Sequence, residues 1–147
     1  MKKLIPFLKN LSFSFLIIFA GTFLQTYWAM GYLSDKLSST CLDCSFVLDT
    51  TFLSLFSAVL LSLIFALIFR IKNLNIKFSL EFLLLSSWWF FIDYSDFVER
   101  ESSWSTYLFD EEIQETLNHS FFPILIMSVV VTFIMNYPSI LKKNEAS

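Results

Sequence analysis

The sequence of 147 residues has few charged residues, few glycines and few prolines. Only 16% of its residues are Asp, Glu, Lys or Arg, whereas 56% are hydrophobic. A soluble domain of this size leaves about a third of its unfolded surface in water and needs polar side chains to cover it. This composition excludes such an exterior, so most of the chain must face lipid. With 2 Gly and 3 Pro, it has little material for linkers, and we expect a single transmembrane domain over residues 1–147.

Short motifs that carry common chemistries are also missing. The sequence has no phosphate-binding glycine loop, no metalloprotease helix and no nucleophile elbow. His119 is its only histidine and lies far along the chain from Cys41 and Cys44, so the three or four ligands of a zinc site are lacking. The few basic residues form no nucleic-acid surface. We therefore expect a non-enzymatic protein with no cofactor, no metal and no nucleic-acid partner.

Long uncharged runs locate the membrane spans. A helix needs about 20 residues to cross ~30 Å of hydrocarbon. Three runs meet this length, and they cover residues 11–33, 50–69 and 120–141. A fourth apolar segment, residues 78–94, is shorter and contains Glu81. We still predict a span there, because the ends of its neighbours would otherwise fall on incompatible sides of the membrane.

Lysine and arginine are distributed unevenly between the segments that connect these spans. Of the 10 basic residues, only Lys36 and Arg100 fall in the loops of residues 34–49 and 95–119. The positive-inside rule therefore places both termini and the loop of residues 70–77 in the cytoplasm. The predicted fold is all-α: an integral four-helix bundle that crosses a bacterial inner membrane, with both termini inside.

Small and polar residues recur at every fourth position in three spans, which places them on one helix face. Apolarity alone does not drive helices together in lipid, so close backbone contact and interhelical hydrogen bonds must do so. Such stripes indicate a packing seam, within one chain or between protomers of a homo-oligomer, and a polar pathway is the alternative. The stripes consist of Gly21 and Gln25, of Thr50, Ser54, Ala58, Ser62 and Ala66, and of Ser128, Thr132 and Asn136.

Three strongly polar side chains lie within the spans. Glu81 is ionisable, and an ionisable residue in a span is by default a functional candidate. Lys77 lies four residues earlier on the same face, so an interfacial ion pair is an alternative explanation. Gln25 and Asn136 carry donors and acceptors that hydrocarbon cannot satisfy. We expect both to face protein and to fix the register of helix packing.

The two cysteines, Cys41 and Cys44, lie directly before the second span. On the oxidising side of a bacterial inner membrane such a pair is expected to form a disulfide. This motif and the predicted topology resemble the DsbB family of membrane thiol oxidases, in which such a pair passes electrons to quinone. The chain differs from that family because it has no second cysteine pair and no arginine in residues 45–49. A structural disulfide and a redox centre are therefore alternative hypotheses.

Acidic residues are concentrated in the second outer loop. Residues 108–117 have apolar side chains on one side and acids on the other, which predicts a short amphipathic helix there. An acidic helix is poorly suited to anionic lipid headgroups. This surface suits a basic protein or divalent cations, and a solvated face without a partner is the alternative. The proposed surface comprises Asp93, Asp96, Glu99, Glu101, Asp110, Glu111, Glu112 and Glu115.

In size, span count and outer-loop style the chain resembles two groups of small bacterial membrane proteins. These are the immunity proteins against pore-forming colicins and the membrane subunits of Kiwa-type anti-phage defence systems. The resemblance implies a subunit that contacts a toxin, a phage component or a cytoplasmic effector. The alternatives are a DsbB-like thiol oxidoreductase and a small channel or transporter lined by Ser54, Ser62, Thr132 and Asn136.

Overall fold

The computed structural model describes residues 4–71 and 73–145, and it describes side chains for residues 8, 10–71 and 73–137. Within these limits the chain is all-α, and the prediction of four helices is confirmed. The helices are α1 (Leu4–Met30), α2 (Phe46–Ile68), α3 (Leu74–Arg100) and α4 (Phe109–Glu145). Single 3₁₀ turns, Gly31–Leu33 and Ser102–Trp104, follow α1 and α3.

Polar caps fix where α2 and α3 begin. The Ser45 hydroxyl accepts a hydrogen bond from the Leu48 N–H at 3.3 Å. The Asn73 side chain accepts from the N–H groups of Asn75 and Ile76 at 3.1 and 3.4 Å. These bonds satisfy backbone donors that the first turn of a helix leaves free. Because of them, α2 and α3 each begin four residues before the predicted spans.

The connection between α3 and α4 is much shorter than predicted. It covers residues 101–108, because α3 continues to Arg100 and α4 begins at Phe109. The prediction of a separate amphipathic helix is wrong, since its residues form the first turns of α4. The Leu108 N–H donates to Glu111 Oε2 at 2.9 Å, and the acids of the first turn suit the positive end of the helix dipole.

Helix α1 lies between α2 and α4, and α3 packs mainly on α4. The crossing of α1 and α4 depends on Gly21, where an added Cβ would lie 2.7 Å from Val131 Cγ2. Close approach through a glycine is a usual way to join helices in lipid. A thinner contact joins α3 to α2, in which Trp88 Nε1 donates to Ser57 Oγ at 2.8 Å.

Three of the four helices contain a segment long and apolar enough to cross a membrane: Asn10–Leu33, Phe46–Ile68 and Phe109–Tyr137. Large apolar side chains are exposed on all three, including Leu16 at 61%, Phe52 at 63% and Phe122 at 66%. Apolar surface of this extent is typical of contact with lipid. The chain is a small, multi-pass helical membrane protein, and both its orientation and a crossing by α3 stay predictions.

The helices alternate in direction, so each end of the bundle contains two helix starts and two helix ends. We refer to the end that contains Cys41 and Cys44 as the disulfide end, and to the opposite end, where α3 begins, as the Lys77 end. A small apolar core at the disulfide end is formed by Ala29, Met30, Leu33, Phe46 and Phe97. A larger core fills the rest of the bundle.

Candidate functional site: two buried carboxyl groups on helix α3

One face of α3 is buried along nearly the whole helix and carries ionisable residues near both ends. Positions four apart lie on one face of a helix, and α3 buries a series at this spacing. The series is Lys77, Glu81, Leu85, Trp89 and Asp93, followed by Asp96, Phe97 and Arg100. The middle of this face is therefore apolar or aromatic, whereas each end contains a buried carboxyl group.

At the Lys77 end, Glu81 is fully buried and contacts both a carboxamide and a cation. Asn136 Nδ2 donates hydrogen bonds to Glu81 Oε2 and, at 2.9 Å, to the Thr132 carbonyl oxygen. Lys77 Nζ lies 3.9 Å from Glu81 Oε1 and 3.9 Å from the centroid of the Phe69 ring. The predicted neighbour Lys77 is thus present, but the primary hydrogen-bond partner of Glu81 is Asn136 on α4.

At the disulfide end, Asp93 is also fully buried and also contacts a carboxamide. Gln25 Nε2 donates to Asp93 Oδ2 at 2.6 Å, and Gln25 Oε1 accepts from Thr26 Oγ1 at 3.3 Å. One turn along α3, Trp89 Nε1 donates to Thr22 Oγ1 at 2.9 Å. These bonds join α1 to α3 through polar groups that hydrocarbon could not satisfy.

Several oxygen atoms around Asp93 have no hydrogen-bond partner among the described residues. They are Asp93 Oδ1, Ser120 Oγ and, one turn further along α3, Asp96 Oδ2; Thr116 Oγ1, one turn before Ser120 on α4, is unpartnered as well. The Ser120 side chain faces the Asp93 carboxyl group. Buried polar atoms in folded proteins nearly always find a partner. The surroundings of Glu81 contain a similar group, formed by Glu81 Oε1, Thr132 Oγ1 and Asn136 Oδ1, but there a lysine lies beside the carboxyl group.

An apolar layer separates the two carboxyl groups. Glu81 and Asp93 are twelve residues apart, which is about 18 Å along a helix. Leu85 and Trp89 are fully buried between them and pack with residues of the other helices. The polar contact in this layer that joins α3 to α4 is a hydrogen bond from Ser86 Oγ to Ser128 Oγ at 3.0 Å.

The residues of the predicted polar lining are not brought together. Ser54 donates to the Thr50 carbonyl oxygen at 2.6 Å, and Ser62 donates to that of Val59 at 3.1 Å, so both hydroxyls are used within α2. Thr132 and Asn136 lie on α4, which makes little contact with α2. The predicted stripes are all buried between helices of one chain, apart from the half-buried Ala66.

Arg100 ends α3 at the disulfide end and is only 2% exposed. Its guanidinium donates to Asp49 Oδ2 and, at 2.7 Å, to the Lys36 carbonyl oxygen. It also lies 5.3 Å from the centroid of the Phe46 ring. These contacts tie the end of α3 to both sides of the loop that carries the cysteines. They also place a base close to residues 45–49, which contain none of their own.

Asp96 lies one turn before Arg100 and is 4% exposed. Burial raises the pKa of Asp96 to about 7, and the charges of Glu99 and Asp49 act in the same direction, whereas Arg100 opposes them. Asp96 lies beyond the proposed span of residues 78–94, between the buried Asp93 and the partly exposed Asp49.

The loop of residues 34–45 is bonded to the end of α3 along much of its length. Cys41 and Cys44 form a disulfide, as expected. The Ser39 N–H donates to the Glu99 carbonyl oxygen at 2.9 Å, and Thr40 Oγ1 donates to Glu99 Oε2 at 3.0 Å. Trp104 Nε1 donates to the Leu37 carbonyl oxygen at 2.9 Å. We call these two hydrogen-bonded segments, residues 34–49 and 99–108, the cap.

The predicted acidic surface is only partly exposed. Asp93 and Asp96 are buried, at 0% and 4% exposure, so their assignment to this surface is wrong. The physical reason is that α3 continues past residue 94 and keeps its inward face inside the bundle. Glu99, Glu101, Glu112 and Glu115 are half-buried, and Asp110 and Glu111 are exposed. Glu112 accepts hydrogen bonds from Tyr94 at 2.8 Å and from Ser102.

Sequence reasoning missed Arg100 as a buried residue and Asp93 as the partner of Gln25. A signal for both was present, because Asp93 continues the four-residue spacing of Lys77 and Glu81, and Arg100 follows Asp93 by seven residues, which is about two turns. Charged residues normally mark the end of a span, so the sequence predicts an end near residue 94 instead. Thr22, Thr116 and Ser120 carried no comparable signal, since isolated hydroxyls are common in membrane helices.

No protein family, no curated protein and no solved structure shows a significant match to this chain.

Proposed function

We propose that the chain is a non-enzymatic membrane subunit of a bacterial defence or toxin-immunity system, and that it acts by binding another protein through the disulfide end. The observation that carries this proposal is the cap. Within the cap, the loop that carries the disulfide is hydrogen-bonded to Glu99 and Arg100 of α3 and to Trp104 of the 3₁₀ turn that follows. A loop held in one conformation loses little entropy when a partner binds, which favours affinity.

The charge on this end supports a basic partner. Asp35, Asp43, Asp110 and Glu111 are exposed, whereas the basic residues of the cap are already occupied. Arg100 is buried against Asp49, and Lys36 Nζ lies 2.7 Å from Glu101 Oε2. A surface with one sign of charge attracts partners of the opposite sign and rejects those of the same sign.

Exposed apolar side chains lie beside these acids in the sequence. Trp104 is 56% exposed, Leu108 is 70% exposed and Phe109 is 65% exposed. Large apolar and aromatic anchors surrounded by polar groups are the usual composition of a protein interface. A toxin or a phage component that enters from outside fits this end, given the orientation that the basic residues predict. A cytoplasmic effector would instead contact the Lys77 end, and homo-oligomers would form through the lipid-facing helices.

Site-specific photo-crosslinking tests the proposed interface. A photoreactive residue at Phe109 should capture a specific protein in the native host during toxin or phage challenge. The same residue at Phe56, which is 60% exposed on α2, is the matched control and should capture lipid or another copy of the chain. Deletion of the gene should raise sensitivity to a toxin or a phage. A deletion strain with unchanged sensitivity to both would contradict the proposed role.

A DsbB-like thiol oxidoreductase is a second candidate. It is favoured by the disulfide and by the contacts of Arg100 with both sides of the loop that carries it. In this proposal the Cys41–Cys44 disulfide accepts electrons from a partner dithiol and passes them to quinone. Quinone reduction that disappears in Cys44→Ser, together with a trapped mixed disulfide, would support it. Wild-type behaviour of the variant with both cysteines replaced by serine would eliminate it.

A further inference from the structure

The surroundings of Asp93 differ from those of an ordinary buried ion pair. Among the described residues, Asp93 Oδ2 has one donor, Gln25, and Oδ1 has none. The charged or titratable groups that act on it are Asp96, on its own helix, and Tyr32, which follows α1. From α4 it is faced by the Ser120 hydroxyl. No lysine or arginine of the described part of the chain makes an ion pair with it.

An ionised carboxylate in this position would be strongly unfavourable. Removing an isolated charge from water into apolar surroundings costs far more than a hydrogen bond returns, and a carboxyl group in that situation takes up a proton instead. Asp96 adds further negative charge when it is ionised. A cation would solve the same problem, but Arg100, the nearest base on α3, is already bound to Asp49 and to the Lys36 carbonyl oxygen.

A proton on Asp93 would satisfy the free oxygen once the carboxyl group and the Ser120 hydroxyl turn towards each other. A neutral carboxylic acid is both a donor and an acceptor. Oδ1 would carry the proton and donate to Ser120 Oγ, while Oδ2 accepts from Gln25 Nε2. The carboxyl group would then join α3 to α1 and α4 at one point. Ser120 Oγ is fully buried and, like Asp93 Oδ1, has no hydrogen-bond partner in the described structure.

We propose that Asp93, Gln25 and Ser120 form a proton-binding site inside the bundle, in which Asp93 is a neutral carboxylic acid at neutral pH. Binding forms one O–H bond on Oδ1, and release returns that proton to water and leaves a carboxylate. Asp96 is buried one turn nearer the disulfide end, and Asp49 is 27% exposed. In this proposal the proton exchanges with solvent on the side of these two residues. This site is separate from the cap and does not depend on the proposed function.

Infrared spectroscopy of the full-length protein in lipid nanodiscs tests this proposal. A protonated carboxyl group has a carbonyl stretch that a carboxylate lacks. At pH 7 the wild-type spectrum should contain a protonated carboxyl band from Asp93, beside the absorption of the partly protonated Asp96, and the Asp93 band should disappear in Asp93→Asn. The matched control is Glu81→Gln, which alters the other fully buried carboxyl group and should leave this band unchanged. A spectrum in which Asp93→Asn removes no such band would overturn the proposal.

A second variant keeps the test decisive if Asp93→Asn does not fold. Ser120→Ala retains the carboxyl group but removes its hydrogen-bond acceptor, so the band should persist and move to higher frequency. An unmoved band would overturn the proposed geometry. A metal ion is the alternative occupant of the site, and addition of sodium or potassium at constant pH tests for it. Loss of the band on addition of either cation would show that the site holds a metal ion, which would also overturn the assignment to a proton.

Discussion

The Lys77 end and the disulfide end of α3 use the same polar pair in different surroundings. Each contains a fully buried carboxyl group that accepts a hydrogen bond from a carboxamide on another helix: Glu81 from Asn136, and Asp93 from Gln25. At the Lys77 end a buried lysine lies 3.9 Å from the carboxyl group. At the disulfide end, Arg100 of α3 donates instead to Asp49 and to the Lys36 carbonyl oxygen. The two carboxyl groups therefore differ in their third neighbour, which is a lysine at Glu81 and not at Asp93, and a nearby cation favours the charged form.

The two ends also differ in what their polar groups hold together. At the Lys77 end, Glu81 and Asn136 join α3 directly to α4. At the disulfide end, Arg100 and Glu99 join α3 to a loop, and the loop carries the disulfide and the exposed acids Asp35 and Asp43. Helix packing alone could specify the first end. The second requires a charged residue to be buried at a helix terminus, where its hydrogen bonds replace the water that it loses.

The largest expected effect is a pH dependence at the disulfide end. Asp96 has a pKa of about 7 in the folded chain against an ordinary value of 3.8, so between these values the folded state binds a proton that the unfolded state has released. Stability should therefore be greatest below about pH 4 and should fall as pH rises towards 7, on the order of 1 kcal/mol per pH unit. SDS unfolding in dodecyl maltoside at several pH values measures this slope.

Replacing Asp96 with asparagine should reduce this fall in stability with rising pH, and the slope that remains should come from the proposed neutral Asp93. Asp110→Asn, at an exposed position, makes the same change in formal charge and is the control. If the slope is the same in wild type and in Asp96→Asn, the buried carboxyl group of Asp96 is not its origin.

Replacement of Arg100 should be the most destabilising single substitution among the ion pairs. Arg100→Met leaves Asp49 and the Lys36 carbonyl oxygen without their donor and should cost about 3 kcal/mol. Lys36→Met removes an exposed pair with Glu101 and should cost less than about 1 kcal/mol. Free energies of unfolding in micelles provide the comparison. Equal costs would show that burial of Arg100 adds nothing to the cap.

At the Lys77 end, Lys77→Met should cost about 2 kcal/mol, because it leaves Glu81 without its cation. The double variant Lys77→Met/Glu81→Gln removes both charges and keeps an acceptor for Asn136, so it should recover most of that loss. The same unfolding assay measures this double-mutant cycle. A double variant as unstable as the sum of the two single variants would indicate that the two side chains do not interact.

The smallest expected effect is on the carboxamides. Gln25→Leu and Asn136→Leu each remove one interhelical hydrogen bond and should cost about 1 kcal/mol. If Asp93 is neutral and Glu81 is charged, Asn136→Leu should cost more than Gln25→Leu, because hydrogen bonds to charged groups are stronger. The reverse order, measured in the same assay, would contradict the difference between the two ends.

Much of the fold could be predicted because it depends on local pattern. The four helices follow from long apolar segments, and the disulfide follows from two cysteines three positions apart. The end of α3 could not be predicted in the same way. Asp93, Asp96 and Arg100 together look like the polar end of a span, since charged residues normally leave hydrocarbon. Only their partners on α1, on α2 and in the loop explain why the helix continues and buries them.

The candidate site shows the same division. Glu81, Gln25 and Asn136 could be identified because each is polar within an apolar segment. Their pairing could not, because Asn136 is 55 residues from Glu81 and Gln25 is 68 residues from Asp93. Contacts across such separations depend on the rotation and register of packed helices, which small residues such as Gly21 permit but do not specify alone.

The sequence by itself determined that this chain is an all-helical membrane protein, since apolar length and scarcity of charge leave no other solvent for its surface. It also placed the cysteines where they could pair. Only the tertiary structure decided which polar side chains meet, that Arg100 serves the loop rather than Asp93, and which acids remain outside. The reason is that the energy of a buried charge depends on every neighbour within a few ångströms, and those neighbours come from separate helices.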